Sequence, residues 1–99
     1  MDNDELKAKL NTETARIAWT ELERHFAHGA LITVSRGLDL IEVASAMAAD
    51  DKSAVQAWLA DERLHRTSSE EARRWSEAGG ELWCVVVAPW VLVQEAADH

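Results

Sequence analysis

A single cysteine, Cys84, leaves this 99-residue chain unable to form an internal disulfide or a cysteine-based zinc site. Its four glycines, Gly29, Gly37 and the pair Gly79-Gly80, are scattered over three turns and cannot build a phosphate cradle. No P-loop, Gly-x-Gly-x-x-Gly or Gly-x-Ser-x-Gly is present, and no cofactor is expected. Tyrosine is absent and phenylalanine occurs once, so the aromatic content rests on five tryptophans. Basic residues are outnumbered, 10 against 18 acids, for a net charge of −8. That balance disfavours non-specific contact with nucleic acid or anionic lipid, whose phosphates must be neutralised by Lys and Arg. The best basic stretch, Arg63 to Arg74, also holds Glu70 and Glu71 beside the flanking Asp61 and Glu62, and nets out near zero. The apolar run Val85–Val93 is broken by Pro89 and falls short of the ~18 residues of a membrane span. The acidic start, Met1-Asp2-Asn3-Asp4-Glu5, stands where a secretory signal would be basic and then apolar, so the cytoplasm is the expected compartment.

What the chain does have is concentrated between Glu81 and Glu95, where two tryptophans, five valines and two leucines read as the heart of a sheet. With 47% hydrophobic residues, and roughly 1.5–3 kcal/mol for each large side chain buried, one domain over 1–99 can hold itself together without a metal or disulfide. Leu82 to Val87 is apolar on both alternating faces, so one face packs on helices and the other needs more helices or a second subunit. Ala88-Pro89 does not supply the positive φ of a two-residue hairpin. The break is therefore either a bent or bulged edge strand or a looser turn.

Upstream, residues 4–17 read as a helix with Leu6, Leu10 and Ile17 on one face. Thr20 with Glu23 fits a capping box for a second helix, or a kink, that ends at Gly29, with Leu22 and Phe26 on one side. Residues 30–35 form a strand. Asp39 with Glu42 opens a helix whose apolar face is Leu40, Val43, Ala44 and Met47, and Asp50-Asp51 ends it and caps the next, where Val55, Trp58 and Leu59 point one way. Leu64 to Thr67 reads as a strand. Ser68 with Glu71 caps a last helix that turns Ala72 and Trp75 inward and stops at Gly79-Gly80. The expected architecture is α+β: a mixed or antiparallel sheet of three or four strands, including 30–35 and 81–94, covered by four or five short helices.

Three stretches carry a family resemblance: Lys9-Leu10-Asn11 through Glu13-Thr14-Ala15-Arg16-Ile17 and Trp19 to Leu22; Gly37 to Ala44; and Pro89-Trp90-Val91-Leu92-Val93-Gln94. The chain resembles a family of small, mostly proteobacterial proteins known only as a domain of unknown function. The resemblance implies a bacterial, soluble, single-domain protein and supplies no reaction, ligand or catalytic residue. Ala18 departs from the proline expected before Trp19, which should weaken the break between the first helices. Leu40 to Thr67 also resembles the core of winged helix-turn-helix domains, whose second helix enters the major groove. Here that helix presents Asp51, Lys52, Ser53, Gln56, Asp61 and Glu62, a net negative surface that phosphates would repel.

Glu21, His25 and His28 share adjacent helical turns and could hold a metal, but a solvated helical face near the helix C-terminus is the favoured reading and no metal site is assigned. Cys84 lies in an apolar strand without a base beside it, and the serines fall at caps or helix surfaces, so no catalytic residue is assigned. Trp58, Trp75 and Trp83 occupy core-facing positions. Trp19 and Trp90 lie at element boundaries, where an indole either caps the core or anchors a partner. Arg16, Asp39, Glu42 and Gln94, from the same family-like stretches, either fix helices to the sheet or line a binding groove. The leading expectation is a non-catalytic interaction or accessory module with a protein partner, including self-association through the Val/Trp-rich strands. The alternative is a small-ligand or metal pocket formed by Trp19, Asp39, Trp90 and Gln94.

Overall fold

The Glu81–Glu95 stretch lies inside a five-stranded mixed sheet, as its composition requires. In the computed structural model, which describes residues 3–95, the elements run α1 (Asn3–Glu13), β1 (Ala15–Ala18), α2 (Trp19–Ala27), β2 (Leu31–Val34), α3 (Leu40–Ala48), α4 (Lys52–Ala60), β3 (Leu64–Arg66), α5 (Ser69–Ala78), β4 (Glu81–Val87) and β5 (Trp90–Glu95). The strand order is β1-β4-β5-β2-β3, antiparallel throughout except for the parallel pair β5 and β2. Val87 pairs with Trp90 and the Ala88–Pro89 peptide is cis, so the connection is a two-residue hairpin. A cis-proline turn reverses the chain without the left-handed residues that an Asn-Gly loop would need.

Alternation along the strands sends side chains to two separate cores, both covered by helices. On one face Val85 and Leu92 join Ile32, Val34 and Leu64 under α1, α3 and α4, through Leu10, Leu40, Val43 and Ala44. On the other, Leu82, Cys84, Val91 and Val93 join Leu31 under α2 and α5, through Trp19, Leu22, Ala72 and Trp75. The second face of the valine-rich strands is thus closed by helices of the same chain.

Several expectations need correction. The first helix ends at Glu13, and Ala15-Arg16-Ile17-Ala18 is a strand paired with residues 81–84. Leu10 and Ile17 pack in opposite cores, which one straight helix could not achieve; a spacing of seven hides the break. The sheet therefore has five strands rather than three or four. Thr20 does not cap α2, because β1 runs into the helix directly and Ala18 takes the N-cap position without a side-chain bond. Trp83, expected to face the core, is 37% exposed, and Leu59, grouped with Val55 and Trp58 on one face of its helix, is 48% exposed. Trp83 stands beside the edge strand, where its shelter is the Arg16 guanidinium, 5.6 Å from the ring. Trp19, by contrast, is buried between Phe26 and Trp75.

The expected caps at Asp39, Asp51 and Ser68 are present, and Ser68 with Glu71 forms the full reciprocal box. Helices α2, α3 and α4 close in one common way. In each, the residue after the C-cap is left-handed (Gly29 φ 72°, Asp50 φ 59°, Glu62 φ 61°). Its amide reaches back to Phe26, Met47 or Leu59, and the next amide reaches His25, Ala46 or Trp58, the Schellman arrangement. The order α3, short turn, α4, β3 reproduces the helix-turn-helix-like segment, but β3 forms an edge of the central sheet through its pairing with β2.

Candidate functional site

The hairpin tip and the α3–α4 turn leave between them a groove of about 440 Å³. Its wall on the sheet side is Val87, Ala88, Pro89 and Trp90, and on the helix side Met47 and Val55. The Schellman turn of α3 lifts Asp50 to the rim, beside the N-cap Asp51 and Lys52. Trp90 is half-buried, with the Arg66 guanidinium 5.4 Å from its ring centroid. The walls are apolar and the rim is charged, and the volume lies within the usual ~300–1,000 Å³ of ligand sites.

Of the six candidate residues only Trp90 lines this groove; the sheet and the chain path disperse the others. Trp19 faces the opposite core. Arg16 lies on the edge strand between Trp83 and Glu81, with its Nε 3.8 Å from the Glu81 carboxylate, a solvent-exposed pair of small energetic weight. Asp39 accepts from the Ile41 and Glu42 amides as the N-cap of α3, and the Glu42 side chain is exposed. Gln94 has a structural task. Its Nε2 donates both hydrogens, to the Ser35 carbonyl at 2.8 Å and the Leu38 carbonyl at 2.6 Å. It thereby ties β5 to the loop that delivers Asp39 to its cap. Trp19, Asp39, Trp90 and Gln94 line no common cavity among the pockets described.

A second polar constellation was not foreseen. Buried Thr33 and Thr67 place their hydroxyls 2.9 Å apart, and Thr33 donates onward to Glu71 Oε1 at 3.3 Å. The same carboxylate oxygen meets His65 Nε2 at 2.9 Å and accepts from the Ser68 amide at 3.0 Å. Burial pushes the Glu71 carboxyl up, but the Ser68 amide and then His65 outweigh it, and the net pKa lies below the ordinary 4.5. The Ser68–Glu71 box was visible in the sequence. The partners on β2 and β3 were not, since the sheet and not local spacing brings them there. Nearby, the Trp75 indole N–H is buried without a hydrogen-bond acceptor. Burial also pushes the Cys84 thiol up to about 11, a poor nucleophile at neutral pH. Among the described residues no group of three or more His, Cys, Asp or Glu side chains is placed to hold a metal ion, Glu21, His25 and His28 included.

The fold and the groove define a small mixed α+β domain with an apolar cleft at one end of its sheet. The chain belongs to a family of proteins of unknown function, DUF2288, whose model matches residues 5–95. It is similar to a Pseudomonas aeruginosa protein whose solution structure was determined by NMR. The two are 49% identical and superpose with a TM-score of 0.83, over 95% of this chain and 87% of that one. None of the curated proteins matches this chain. No helix among the described residues is long and apolar enough to cross a membrane.

Proposed function

We propose that this protein is a non-catalytic interaction module whose contact with another protein is centred on the Trp90 groove. The observation that carries the reading is the groove itself: half-buried Trp90, Val87, Met47 and Val55 line an open apolar cleft about 440 Å³ in volume. Indoles in such settings are frequent anchors of protein contacts. The cleft's lining holds no histidine, cysteine or hydroxyl group, and the His65–Glu71 pair belongs to β3 and α5, with Thr33 on the sheet face that α2 and α5 cover. Self-association through the valine-tryptophan strands has less support. Helices cover both faces, and the two large side chains of β4 that remain exposed, Trp83 and Val86, point to opposite sides of the sheet.

Photo-cross-linking in the native cell tests the reading, with a benzophenone amino acid in place of Gln56, an exposed residue of the groove lining. A discrete protein adduct is expected that disappears when Trp90→Ala is added to a protein of unchanged circular dichroism. An adduct indifferent to Trp90, or none at all, refutes the reading.

A further inference from the structure

Resting on that reading, we propose that the segment held in the groove is an apolar stretch carrying lysine or arginine. Two features of the molecule set its chemistry. The first is an incompletely covered helix. None of the residues of α4 is fully buried, and Leu59, 48% exposed, lies one turn beyond Val55 on the same side of that helix. The apolar surface of the groove therefore continues along α4, an elongated track that suits an extended or helical segment of chain.

The second feature is the charge around that track. Asp50 and Asp51 stand together on the rim against the single Lys52. Asp51 spends one carboxylate oxygen on the Ala54 amide, which answers the positive end of α4. The carbonyl end of α3 closes at the same turn and adds partial negative charge there. Arg66, exposed over the indole of Trp90, keeps its positive charge, so the formal charges at the groove itself balance and the preference for a cationic segment comes from the α3 carbonyl end and the wider field. Beyond the rim, the chain as a whole carries 18 acids against 10 bases, a field that draws a cationic segment toward it and repels a second copy of itself. An acidic segment, a nucleic acid or an anionic membrane would approach against that field.

The test uses three fluorescein-labelled twelve-residue peptides with identical leucine positions, their polar positions all lysine, all glutamine or all glutamate. Fluorescence anisotropy reads binding to the full chain. The lysine peptide should bind most tightly, and Trp90→Ala should abolish its binding. Asp50→Gly and Asp51→Asn should each weaken it about two- to five-fold, the range of one partly screened charge pair. Both substitutions suit the fold: glycine is at ease at the left-handed position of Asp50, and asparagine caps a helix as aspartate does. Asp50→Gly should therefore raise Tm while lowering affinity, which separates binding from folding. Glu23→Gln, on α2 across the sheet, should change nothing. If the glutamine or glutamate peptide binds as tightly in a Trp90-dependent manner, the basic occupant is wrong and the groove reading stands. If lysine-peptide binding ignores Trp90, or falls equally with Glu23→Gln, bulk charge alone is at work and the inference fails. If no peptide binds and the Gln56 cross-linker captures nothing, both readings fall.

Discussion

Replacing Gln94 by alanine should destabilise the domain by about 1–3 kcal/mol without touching its apolar core. The magnitude follows from two hydrogen bonds to main-chain carbonyls, each contributing roughly 0.5–1.5 kcal/mol net, with a further cost where a carbonyl is left shielded from water. Ser35 and Leu38 are the acceptors, and the Leu38 amide itself bonds to the Ser35 carbonyl at 3.0 Å. Gln94 thus braces a turn whose exit residue, Asp39, caps α3. In a domain of this size each kcal/mol corresponds to ~4–8 °C, so Tm should fall on the order of 5–20 °C. Urea unfolding followed by circular dichroism checks the free energy, with an unchanged m-value. Gln94→Glu is the sharper variant, because it sets a carboxylate against two carbonyl oxygens and favours its neutral form when folded. A carboxyl whose folded pKa is raised binds more protons in the native state, so its penalty relative to wild type is small below the unfolded value of ~4.3 and grows as pH rises above it. A loss under ~0.5 kcal/mol for Gln94→Ala, or a Gln94→Glu deficit that does not vary with pH, would refute the brace.

Two further outcomes follow from buried groups. Cys84, 3% exposed with its thiol pushed up to about 11, should resist Ellman's reagent at pH 8 until urea unfolds the chain; rapid labelling of the native protein would contradict its burial. Glu71 has a folded pKa below its ordinary 4.5, so its stabilising contribution is present above that value and is lost as pH falls through the folded one. The stability gap between wild type and Glu71→Gln should accordingly be widest near neutrality and close in acid, and a gap constant with pH would remove the carboxylate from the account.

How far the fold could be read from the sequence depended on whether a signal was local. The caps at Asp39, Asp51 and Ser68, the Val/Trp stretch and the Gly29 and Gly79 stops are each written within a few residues and appear where expected, whereas the Thr20–Glu23 box does not form because β1 runs straight into α2. The strand at residues 15–18 was hidden because Leu6, Leu10 and Ile17 keep helical spacing while the chain changes face. Arg16, Trp19, Asp39, Glu42, Trp90 and Gln94 are close in motif but not in space, since the sheet places Trp19 on one side and Trp90 and Gln94 on the other. The groove needed Val87 and Trp90 from the hairpin and Met47 and Val55 from two helices, a combination that only tertiary packing makes. The ends of α3 and α4 carried no glycine to announce them, because Asp50 and Glu62 hold the left-handed position that glycine holds after α2. That substitution has a measurable consequence. A left-handed residue with a side chain costs roughly 1–2 kcal/mol, while glycine returns ~0.5–1 of that as extra freedom of the unfolded chain. Glu62→Gly, at an exposed position outside the groove lining, should therefore stabilise the domain by about 0.5–1 kcal/mol. Gly29→Ala should cost about as much, since a Cβ there meets nothing within 4 Å and only the φ of 72° opposes it. Opposite signs in thermal unfolding are required; a destabilised Glu62→Gly would mean that the carboxylate, and not the backbone, governs that helix end.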